Sequence, residues 1–298
     1  MQPRNRKPRQ RPHVRLVSRL GLVNIVRKGT SYSSWSDPYH LLLTIPWPVF
    51  LGLFTGLYLA TNAVFALAYL AGGNCIANAR PGSFPDFFFF SVETMSSIGY
   101  GAMYPRTFYG HGVVTIEALI GLFGVAIMTG LAFARFSLPT ARVIFSRVAV
   151  ITPFNGVPTL MFRTANERHN LMLEAQIQVT LVRNEVTLEG QFMRREYDLR
   201  LVRNQTAIFA LAWMVMHIID EQSPLYGVTA QELADVEAEI VVTLSGLDET
   251  VSQTIHARHS FVTNEILWNM WFVDILSKAP DGTRAIDYTR FHDVIPIT

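Results

Sequence analysis

The chain has 298 residues, of which 50% are hydrophobic and 16% are charged, and its formal net charge is +2. The hydrophobic fraction is high for an average soluble domain, whereas the charged fraction is too high for a chain lying wholly within a bilayer. Cys75 is the only cysteine, which excludes an intrachain disulfide and a structural metal site built on cysteines.

Charge divides the chain into three sections. The first 36 residues contain nine Lys or Arg and no acid, and residues 38–79 contain no Asp, Glu, Lys or Arg. Residues 137–298 contain 13 Lys or Arg and 19 Asp or Glu, a formal net of 13 minus 19, or −6. Because basic segments stay on the cytoplasmic side, residues 1–34 are predicted to form a basic cytoplasmic arm. The acidic section is compatible with simple solubility and with a vestibule that concentrates cations.

An interfacial slide helix is predicted over residues 35–48. Asp37 followed by Pro38 is a helix-start signal, a capping side chain with proline in the first turn. Trp35 and Trp47 lie where an aromatic belt at the membrane surface would lie.

Two membrane spans are predicted next, at residues 49–70 and 113–135, since each is long enough to cross about 30 Å of hydrocarbon as a helix. Together with the segment between them they form a predicted transmembrane pore domain over residues 49–136. With two spans, the carboxyl-terminal half lies on the same side as the amino terminus, so both termini are expected to be cytoplasmic.

Structural roles are predicted for four small or polar residues within the spans. Asn62 is predicted to make an interhelical hydrogen bond. Gly121, Gly124 and Gly130 in the second span allow either close helix packing or a hinge, and both roles can hold together.

A re-entrant pore helix and a filter loop are predicted between the spans. Residues 86–96 begin with helix-start chemistry but are too short to span, and such a segment is tolerated when buried in protein. Glycines then alternate with other residues in the predicted filter, which consists of Ser97, Ile98, Gly99, Tyr100 and Gly101. Glycine permits the dihedrals that turn successive carbonyls to one side. Carbonyl rings replace the hydration shell of potassium, so K⁺ is the predicted permeant ion, bound by the backbone carbonyls of Ser97, Ile98, Gly99 and Tyr100.

The carboxyl-terminal half is predicted to be an all-β sandwich over residues 151–298, joined to the membrane part by a linker over 137–150. Its short β-rich stretches are residues 159–163, 174–182, 186–192, 240–244, 252–261, 270–276 and 284–291. Turn signals separate them at residues 155–156, 188–190, 245–246 and 280–282. Seven short strands in about 150 residues are typical of a sandwich.

Residues 91–101, Ser-Val-Glu-Thr-Met-Ser-Ser-Ile-Gly-Tyr-Gly, resemble the pore of inward-rectifier potassium channels, most closely the prokaryotic branch. Residues 217–226, 264–268 and 287–292 resemble the cytoplasmic domain of the same family, and the similarity covers roughly residues 35–293. The resemblance implies a homotetramer in a bacterial inner membrane, with an immunoglobulin-like cytoplasmic sandwich that continues the pore.

The resemblance also implies individual roles. Phe133 matches the constriction at the inner bundle crossing, where a ring of four phenylalanines would close the pore by dewetting. Val125 occupies the position where strong rectifiers carry a carboxylate, so weak rectification is expected. Residues 245–250 resemble a girdle loop with Leu247 as its narrowing residue, and Glu189 matches an acidic position of the cytoplasmic pore.

Arg142 and Arg147 lie where the family binds phosphoinositide headgroups, so anionic membrane lipid is an expected partner. Positive charge at these two positions could also serve only to set the membrane topology, and both explanations can hold. In prokaryotic members such lipids are inhibitory, which leaves the sign of the effect open.

The filter region departs from the family pattern at two positions. Ser97 replaces the usual threonine, and Ala102 replaces an acid that often follows the filter. Glu93 is expected to support the filter from behind, either protonated or well hydrogen-bonded, with Arg106 as the suggested partner.

Other functional classes have less support in the sequence. His256 and His259 are three apart on a predicted strand, so they face opposite sides and form a poor metal pair. With no nucleophile, phosphate-loop or zinc pattern, the sequence predicts no enzyme, no cofactor and no nucleic-acid partner. The remaining alternatives are a non-selective cation channel, which would pass sodium, and a two-span receptor or scaffold, which would pass no ions.

Overall fold

The computed structural model describes residues 37–168, 170–278 and 284–297. These residues form two compact units that divide between Leu138 and Pro139. The predicted basic arm and the predicted turn at residues 280–282 lie outside the described residues. The membrane unit contains α1 (Pro38–Thr44), α2 (Trp47–Ala71), β1 (Ile76–Ala77), α3 (Phe84–Met95), β2 (Tyr104–Pro105) and α4 (Phe108–Phe136).

Helix α1 is shorter than the predicted slide helix. The Asp37 carboxylate caps it by accepting a hydrogen bond from the His40 N–H at 3.0 Å, and Pro38 fills the first turn. The helix ends at Thr44 because Ile45 precedes Pro46 and is extended there, with ψ of 150°. Trp47 already belongs to α2, so the boundary predicted at residue 48 is wrong.

Helices α2 and α4 are the two described helices that are long and apolar enough to cross a membrane. They have 25 and 29 residues, which at about 1.5 Å per residue exceeds the thickness of a hydrocarbon core. Most of their apolar side chains are exposed in the single chain, as lipid-facing or subunit-facing surfaces would be.

Helix α3 has 12 residues, too few to span, and lies against both long helices. Its first turn is capped by Ser83, whose hydroxyl accepts from the Asp86 N–H at 3.4 Å. The buried face carries Phe87, Phe90, Ser91 and Met95. The re-entrant helix predicted over 86–96 is thus present at residues 84–95.

The soluble unit is built on two five-stranded sheets. One contains β6 (Met172–Val186), β7 (Phe192–Asp198), β8 (Gln205–Phe209), β10 (Glu239–Asp248) and β11 (Gln253–Val262), in the order β11-β10-β6-β7 with β8 also paired to β6. The other contains β3 (Val143–Phe145), β4 (Ala149–Phe154), β5 (Val157–Asn166), β9 (Ala212–Ile218) and β12 (Ile266–Trp268), in the order β12-β4-β5-β3 with β9 also paired to β5.

Smaller elements complete this unit. Strand β13 (Met270–Phe272) pairs with β16 (Val294–Pro296), β14 (Leu276–Lys278) pairs with β15 (Arg284–Ile286), and α5 (Ala230–Asp235) is a short helix. Helix α5 begins with a capping box between Thr229 and Glu232.

The core of the soluble unit lies between the two sheets. Alternate residues of β10, namely Ile240, Val242 and Leu244, are fully buried there. Across the core, the rings of Phe162 on β5 and Phe261 on β11 lie 5.2 Å apart between centroids. Burial of each such side chain contributes about 1.5–3 kcal/mol, so the inward-facing positions stabilise the sandwich.

The structure corrects several predicted boundaries. Strand β3 lies inside the linker predicted over 137–150, so the sandwich begins before residue 151. The strand predicted over 186–192 is mostly a turn, closed by the Thr187 N–H donating to the Gln191 carbonyl at 2.9 Å. The predicted strands at 270–276 and 284–291 are each interrupted, the second by a 3-10 turn.

The predicted turn at Ser245 and Gly246 is instead a bulge within strand β10. A Cβ atom on Gly246 would lie 2.6 Å from the Met172 Cγ, so this glycine permits close approach of strand β6. Leu247 is therefore half-buried in a strand, and the girdle loop predicted over 245–250 is wrong in its first half.

His217 is buried on β9 and gives the soluble unit a predicted pH dependence. Its Nδ1 lies 2.7 Å from the Arg200 carbonyl and its Nε2 lies 2.8 Å from the Ser223 hydroxyl. The carbonyl accepts only, so Nδ1–H donates to it and Nε2 accepts from Ser223 when the ring is neutral. Burial lowers the pKa of His217, against a smaller raising effect of the Arg200 hydrogen bond and Asp220.

A lowered pKa means that the unfolded chain binds this proton more readily than the folded chain. We therefore expect the contribution of His217 to thermal stability to be constant above a pH of about 6.5 and to be lost as the pH drops below it. Melting temperatures measured from pH 8 to pH 5 test this expectation. His217→Gln should make the fall in melting temperature below a pH of about 6.5 shallower, whereas His256→Gln, at an exposed position on β11, should leave the pH profile unchanged. Identical profiles for wild type and His217→Gln would contradict the assignment.

Candidate functional site

The backbone after α3 alternates in handedness over the predicted filter. Ser97, Gly99 and Gly101 have φ angles of +56°, +59° and +79°, in the left-handed region. Two of the three are glycines, which adopt this region without steric cost. Ser97 is held by its own N–H, which donates to the Thr94 carbonyl at 3.1 Å. Such alternation is the arrangement needed to present successive carbonyls to one axis.

The inner end of the filter is continuous with the last turn of α3. The Ile98 N–H donates to the Glu93 carbonyl at 2.9 Å, so the helix directs the start of the loop. Ile98 and Tyr100 are exposed in the single chain. Their side chains are thus available to contact another subunit.

A short β-ladder holds the outer end of the filter. Ile76 pairs with Pro105 and Ala77 pairs with Tyr104. The Asn78 amide donates to the Ala102 carbonyl at 2.8 Å, one residue after the filter. The loop that leaves the filter is therefore tied to the loop that precedes α3.

An ion pair fixes the entry to α3. The Arg80 guanidinium contacts both oxygens of Asp86, at 2.7 and 3.0 Å, and its backbone N–H donates to the same carboxylate at 2.9 Å. A carboxylate in the first turn also interacts favourably with the helix dipole. Asp86 thus links the loop geometry to the orientation of the pore helix.

Glu93 does not occupy the buried environment expected for it. Its side chain is half-buried on the face of α3 that also carries the exposed Phe89, opposite the face packed on α2 and α4. Within residues 37–168, no hydrogen bond or ion pair reaches its carboxylate, and Arg106 is not its partner. The suggested pairing of Glu93 with Arg106 is therefore wrong for the single chain.

The fully buried acid of the described membrane unit is Glu117, which the sequence prediction missed. It is fully buried on α4, and its carboxyl group is hydrogen-bonded to the hydroxyls of Tyr69 on α2 and Ser91 on α3. Ser91 also donates to the Asn62 side-chain oxygen at 2.9 Å, so Asn62 makes the predicted interhelical bond. The available signal was that Glu117 is the only Asp, Glu, Lys or Arg in residues 107–134. These four residues are called the buried polar cluster below.

The inner end of α4 is attached to α1 and α2. The Arg135 guanidinium donates to the carbonyls of Leu42 and Ile45, the latter at 2.5 Å. It also lies 4.6 Å from the ring centroids of both Trp47 and Phe50, within cation–π range. Residues near the end of α4 are thereby coupled to the C-terminus of the interfacial helix.

The predicted pore-lining and hinge residues lie along α4, which is unbroken from Phe108 to Phe136. Phe133 and Val125 are exposed in the single chain. Gly121 packs against α3, where an added Cβ would lie 2.8 Å from the Met95 carbonyl oxygen. Gly124 and Gly130 have no described atom within 4 Å of an added Cβ.

The cytoplasmic candidates lie at separate places in the soluble unit. Glu189 is exposed in the turn between β6 and β7, where a hydrogen bond with Thr187 lowers the pKa of its carboxyl group. Arg142 is exposed and forms an ion pair with Glu167 at 3.9 Å. Leu247 lies in β10, as described above.

Arg147 lines a basic cavity of about 610 Å³. The cavity is also lined by Arg258, His256 and His292, and none of its described lining residues is acidic. Burial and then the positive charge of Arg147 lower the pKa of His292. The arrangement is suited to a negatively charged group.

Comparison with known proteins places both units in one family. The model of the inward rectifier potassium channel C-terminal domain matches residues 143–298, and an ion channel model matches residues 53–137. Inward rectifier potassium channel Kirbac3.1 of Paramagnetospirillum magnetotacticum is 48% identical over 295 residues, covering 99% of this chain and 98% of that one.

Animal proteins match at lower identity. Human ATP-sensitive inward rectifier potassium channel 8 is 28% identical, covering 98% of this chain and 77% of that one. Human G protein-activated inward rectifier potassium channel 1 is 30% identical, covering 93% of this chain and 60% of that one.

These matches extend over the pore helix, the filter and the sandwich, and they agree with the two apolar helices of the fold. The predicted membrane fold, with two spans and a β-rich carboxyl-terminal domain, is confirmed, and tetrameric assembly is expected for the family. Family membership implies a role in ion transport rather than in enzymatic catalysis. The chain belongs to the inward-rectifier potassium channel family and is a potassium channel of the prokaryotic branch.

Proposed function

We propose that four copies of this chain surround one axis, along which K⁺ passes through rings of backbone carbonyls from Ser97, Ile98, Gly99 and Tyr100. The observation that carries the proposal is the left-handed backbone at Ser97, Gly99 and Gly101, directly after a short helix between two spans. Four such strands supply the oxygens that replace the hydration shell of the ion. Conduction is passive and requires no cofactor.

Uptake of rubidium-86 into liposomes containing the purified channel tests this proposal. We expect uptake that barium blocks and that external potassium, but not sodium, competes. Equal competition by sodium would instead identify a non-selective cation channel. Absence of uptake from a folded tetramer, over varied pH and lipid composition, would favour a receptor or scaffold.

The inner gate is assigned to Phe133. Four exposed phenylalanines near the ends of the α4 helices would form an apolar constriction that closes the pore by dewetting. Arg135, two residues later, attaches the same helix end to α1, so movement of the interfacial helix would be transmitted to this constriction.

Phe133→Ala should raise the initial rate of rubidium uptake several-fold, because a ring of methyl groups leaves a wider opening that stays wet. Phe136→Ala is the matched control, since Phe136 is equally exposed but its ring lies 4.7 Å from that of Trp47 on α2. An unchanged rate in Phe133→Ala, with the tetramer intact, would place the gate elsewhere.

Weak rectification follows from the apolar side chain of Val125. A blocking cation such as magnesium or a polyamine is held in a pore by negative charge, and a ring of valines supplies none. The acidic soluble unit, with its formal net of −6 and Glu189 exposed in a turn, would concentrate cations before they enter.

Regulation by anionic lipid is assigned to Arg142 and Arg147. Basic residues near a membrane surface attract anionic lipid by about 1 kcal/mol each. The basic cavity that Arg147 lines has the charge needed for a phosphorylated headgroup. Rubidium uptake in vesicles with and without phosphoinositide, compared between wild type and Arg147→Gln, gives both the existence and the sign of the effect.

The location proposed for the channel is a bacterial inner membrane, with both termini in the cytoplasm. Nine Lys or Arg and no acid in the first 36 residues support a cytoplasmic amino terminus. Two spans then return the chain to the same side.

A further inference from the structure

A continuous chain of hydrogen bonds connects helices α2, α3 and α4 of the membrane unit. The Tyr69 hydroxyl donates to Glu117 Oε2, and Ser91 Oγ is hydrogen-bonded to Glu117 Oε1. Ser91 Oγ also lies 2.9 Å from Asn62 Oδ1, and Asn62 Nδ2 donates to the Tyr58 carbonyl at 2.7 Å. These hydrogen bonds therefore join α2, α3 and α4 through side chains that are fully buried within a single subunit.

The number of protons available to these hydrogen bonds determines the protonation state of the Glu117 carboxyl group. Ser91 has one hydroxyl proton but lies between two oxygens that both require a donor if Glu117 is ionised. Reversing the Asn62 amide does not help, because its oxygen would then face the Tyr58 carbonyl. A proton on Glu117 Oε1 completes the chain, since Glu117 then donates to Ser91 and Ser91 donates to Asn62.

The surroundings of the Glu117 side chain also favour its neutral, protonated form. Glu117 is fully buried, and no Lys, Arg or His of the described membrane unit forms an ion pair with it. Isolated charges in such surroundings are very costly, and buried acids become neutral instead. Its neighbours on α2 and α3, Tyr69 and Ser91, are neutral hydroxyls.

The cluster is placed where it can set the geometry of the filter. Ser91 lies on α3, six residues before Ser97, and Asn62 Nδ2 also approaches the Met95 sulfur at 3.6 Å. One turn along α4 from Glu117, Gly121 packs closely against α3, where an added Cβ would lie 2.8 Å from the Met95 carbonyl oxygen. The position of the carboxyl-terminal end of α3 is thus determined by α2 and α4 together.

We propose that Glu117 is a positioning residue for ion selectivity and that it acts as a neutral acid. It donates one hydrogen bond to the pore helix and accepts one from α2, and so it fixes the helix from which the filter begins. The inference rests on the proposed conduction through Ser97–Gly101, because its functional readout is the selectivity of that pathway.

Paired substitutions test the role. Glu117→Gln reproduces the pattern of a neutral acid, since its carbonyl accepts from Tyr69 and its amide donates to Ser91. We expect this variant to keep the rubidium-over-sodium permeability ratio of the wild type. Glu117→Leu leaves the Tyr69 hydroxyl without its acceptor and Ser91 without its donor from α4, and we expect the ratio to fall by roughly tenfold or more.

A milder pair guards against misfolding of the leucine variant. Tyr69→Phe removes only the hydroxyl that donates to Glu117, and it should lower the permeability ratio without dissociating the tetramer. Tyr109→Phe is the control, because its hydroxyl also joins α4 to α2, donating to the Ala68 carbonyl at 3.0 Å, but within the described residues no hydrogen bond joins it to α3. It should retain the selectivity of the wild type.

Infrared difference spectroscopy tests the proton independently of ion flux. Wild type at neutral pH should show the C=O band of a protonated carboxylic acid that Glu117→Gln removes. Absence of that band, or equal loss of selectivity in the glutamine and leucine variants, would overturn the neutral state. A leucine variant as selective as the wild type would overturn the positioning role. If the wild type itself fails to select rubidium, the proposed function fails, while the infrared result still decides the protonation state.

Discussion

Gly99→Ala is expected to abolish rubidium uptake while the tetramer still assembles. Gly99 has a φ of +59°, a conformation that costs an alanine about 1–2 kcal/mol. In the proposed tetramer all four subunits contribute this position to a single ring, so the strain would be applied four times around one axis. Relief of that strain requires the peptide to rotate, which would turn a carbonyl away from the ion pathway and break the ring.

Gly73→Ala provides a control for backbone strain alone. Gly73 has a similar φ of +65°, with no described atom within 4 Å of an added Cβ, but it lies in the loop after α2 rather than in the filter. Both variants should lower the melting temperature by a similar amount. Only Gly99→Ala should lose uptake, and normal barium-sensitive uptake in that variant would show that the filter does not require the left-handed conformation.

The pore was the part of the molecule that the sequence predicted best, for a physical reason. A helix too short to span, two uncharged flanking runs and alternating glycines each restrict the backbone by themselves. Together they predicted α3 to within two residues and the unusual dihedrals at Gly99 and Gly101, whereas the left-handed backbone at Ser97 was not predicted. No distant contact was needed to interpret them.

Positions that depend on distant partners were predicted poorly. Glu117 lies in an otherwise uncharged run, and its partners on α2 and α3 are 48 and 26 residues away in the chain. Gly246 was interpreted as a turn, whereas its small size serves the approach of Met172 from the neighbouring strand. Glu93, expected to support the filter from behind, lies half-buried in the single chain on the face of α3 opposite Phe87, Phe90 and Ser91.

Strand β7 was missed over all but its first residue, for a related reason. Strand β7 contains two arginines, a glutamate and a tyrosine that are partly or fully exposed, so its sequence lacks an apolar alternation. Its strand conformation comes instead from the antiparallel pairing of Phe192–Asp198 with the end of β6. Tertiary pairing of this kind overrides weak local preference.

Gly121→Ala is expected to reduce ion selectivity and conduction strongly, although alanine is the better helix former. An added Cβ would lie 2.8 Å from the Met95 carbonyl oxygen and 3.0 Å from the Met95 Cγ. The side chain of Met95 can rotate away, but its carbonyl belongs to the last turn of α3 and cannot. The helix end must therefore move outward from α4, and the filter begins two residues later.

Gly112→Ala is the matched control on the same helix, since no described atom lies within 4 Å of its added Cβ. Both substitutions gain about 1 kcal/mol of helix propensity, so a difference between them reports the contact with Met95. Rubidium uptake, sodium competition and the melting temperature of the tetramer should be near those of the wild type in Gly112→Ala.

The same measurement separates the two roles considered for Gly121. A hinge glycine that is replaced by alanine should change the rate of opening and leave the selectivity of the open pore intact. A packing glycine should change selectivity, because the displaced pore helix carries Ser91 and the buried polar cluster with it. Because α4 is unbroken from Phe108 to Phe136 in this structure, we expect the packing role, in which Gly121→Ala loses ion selectivity. A variant with slowed uptake and unchanged sodium exclusion would assign the hinge role to Gly121.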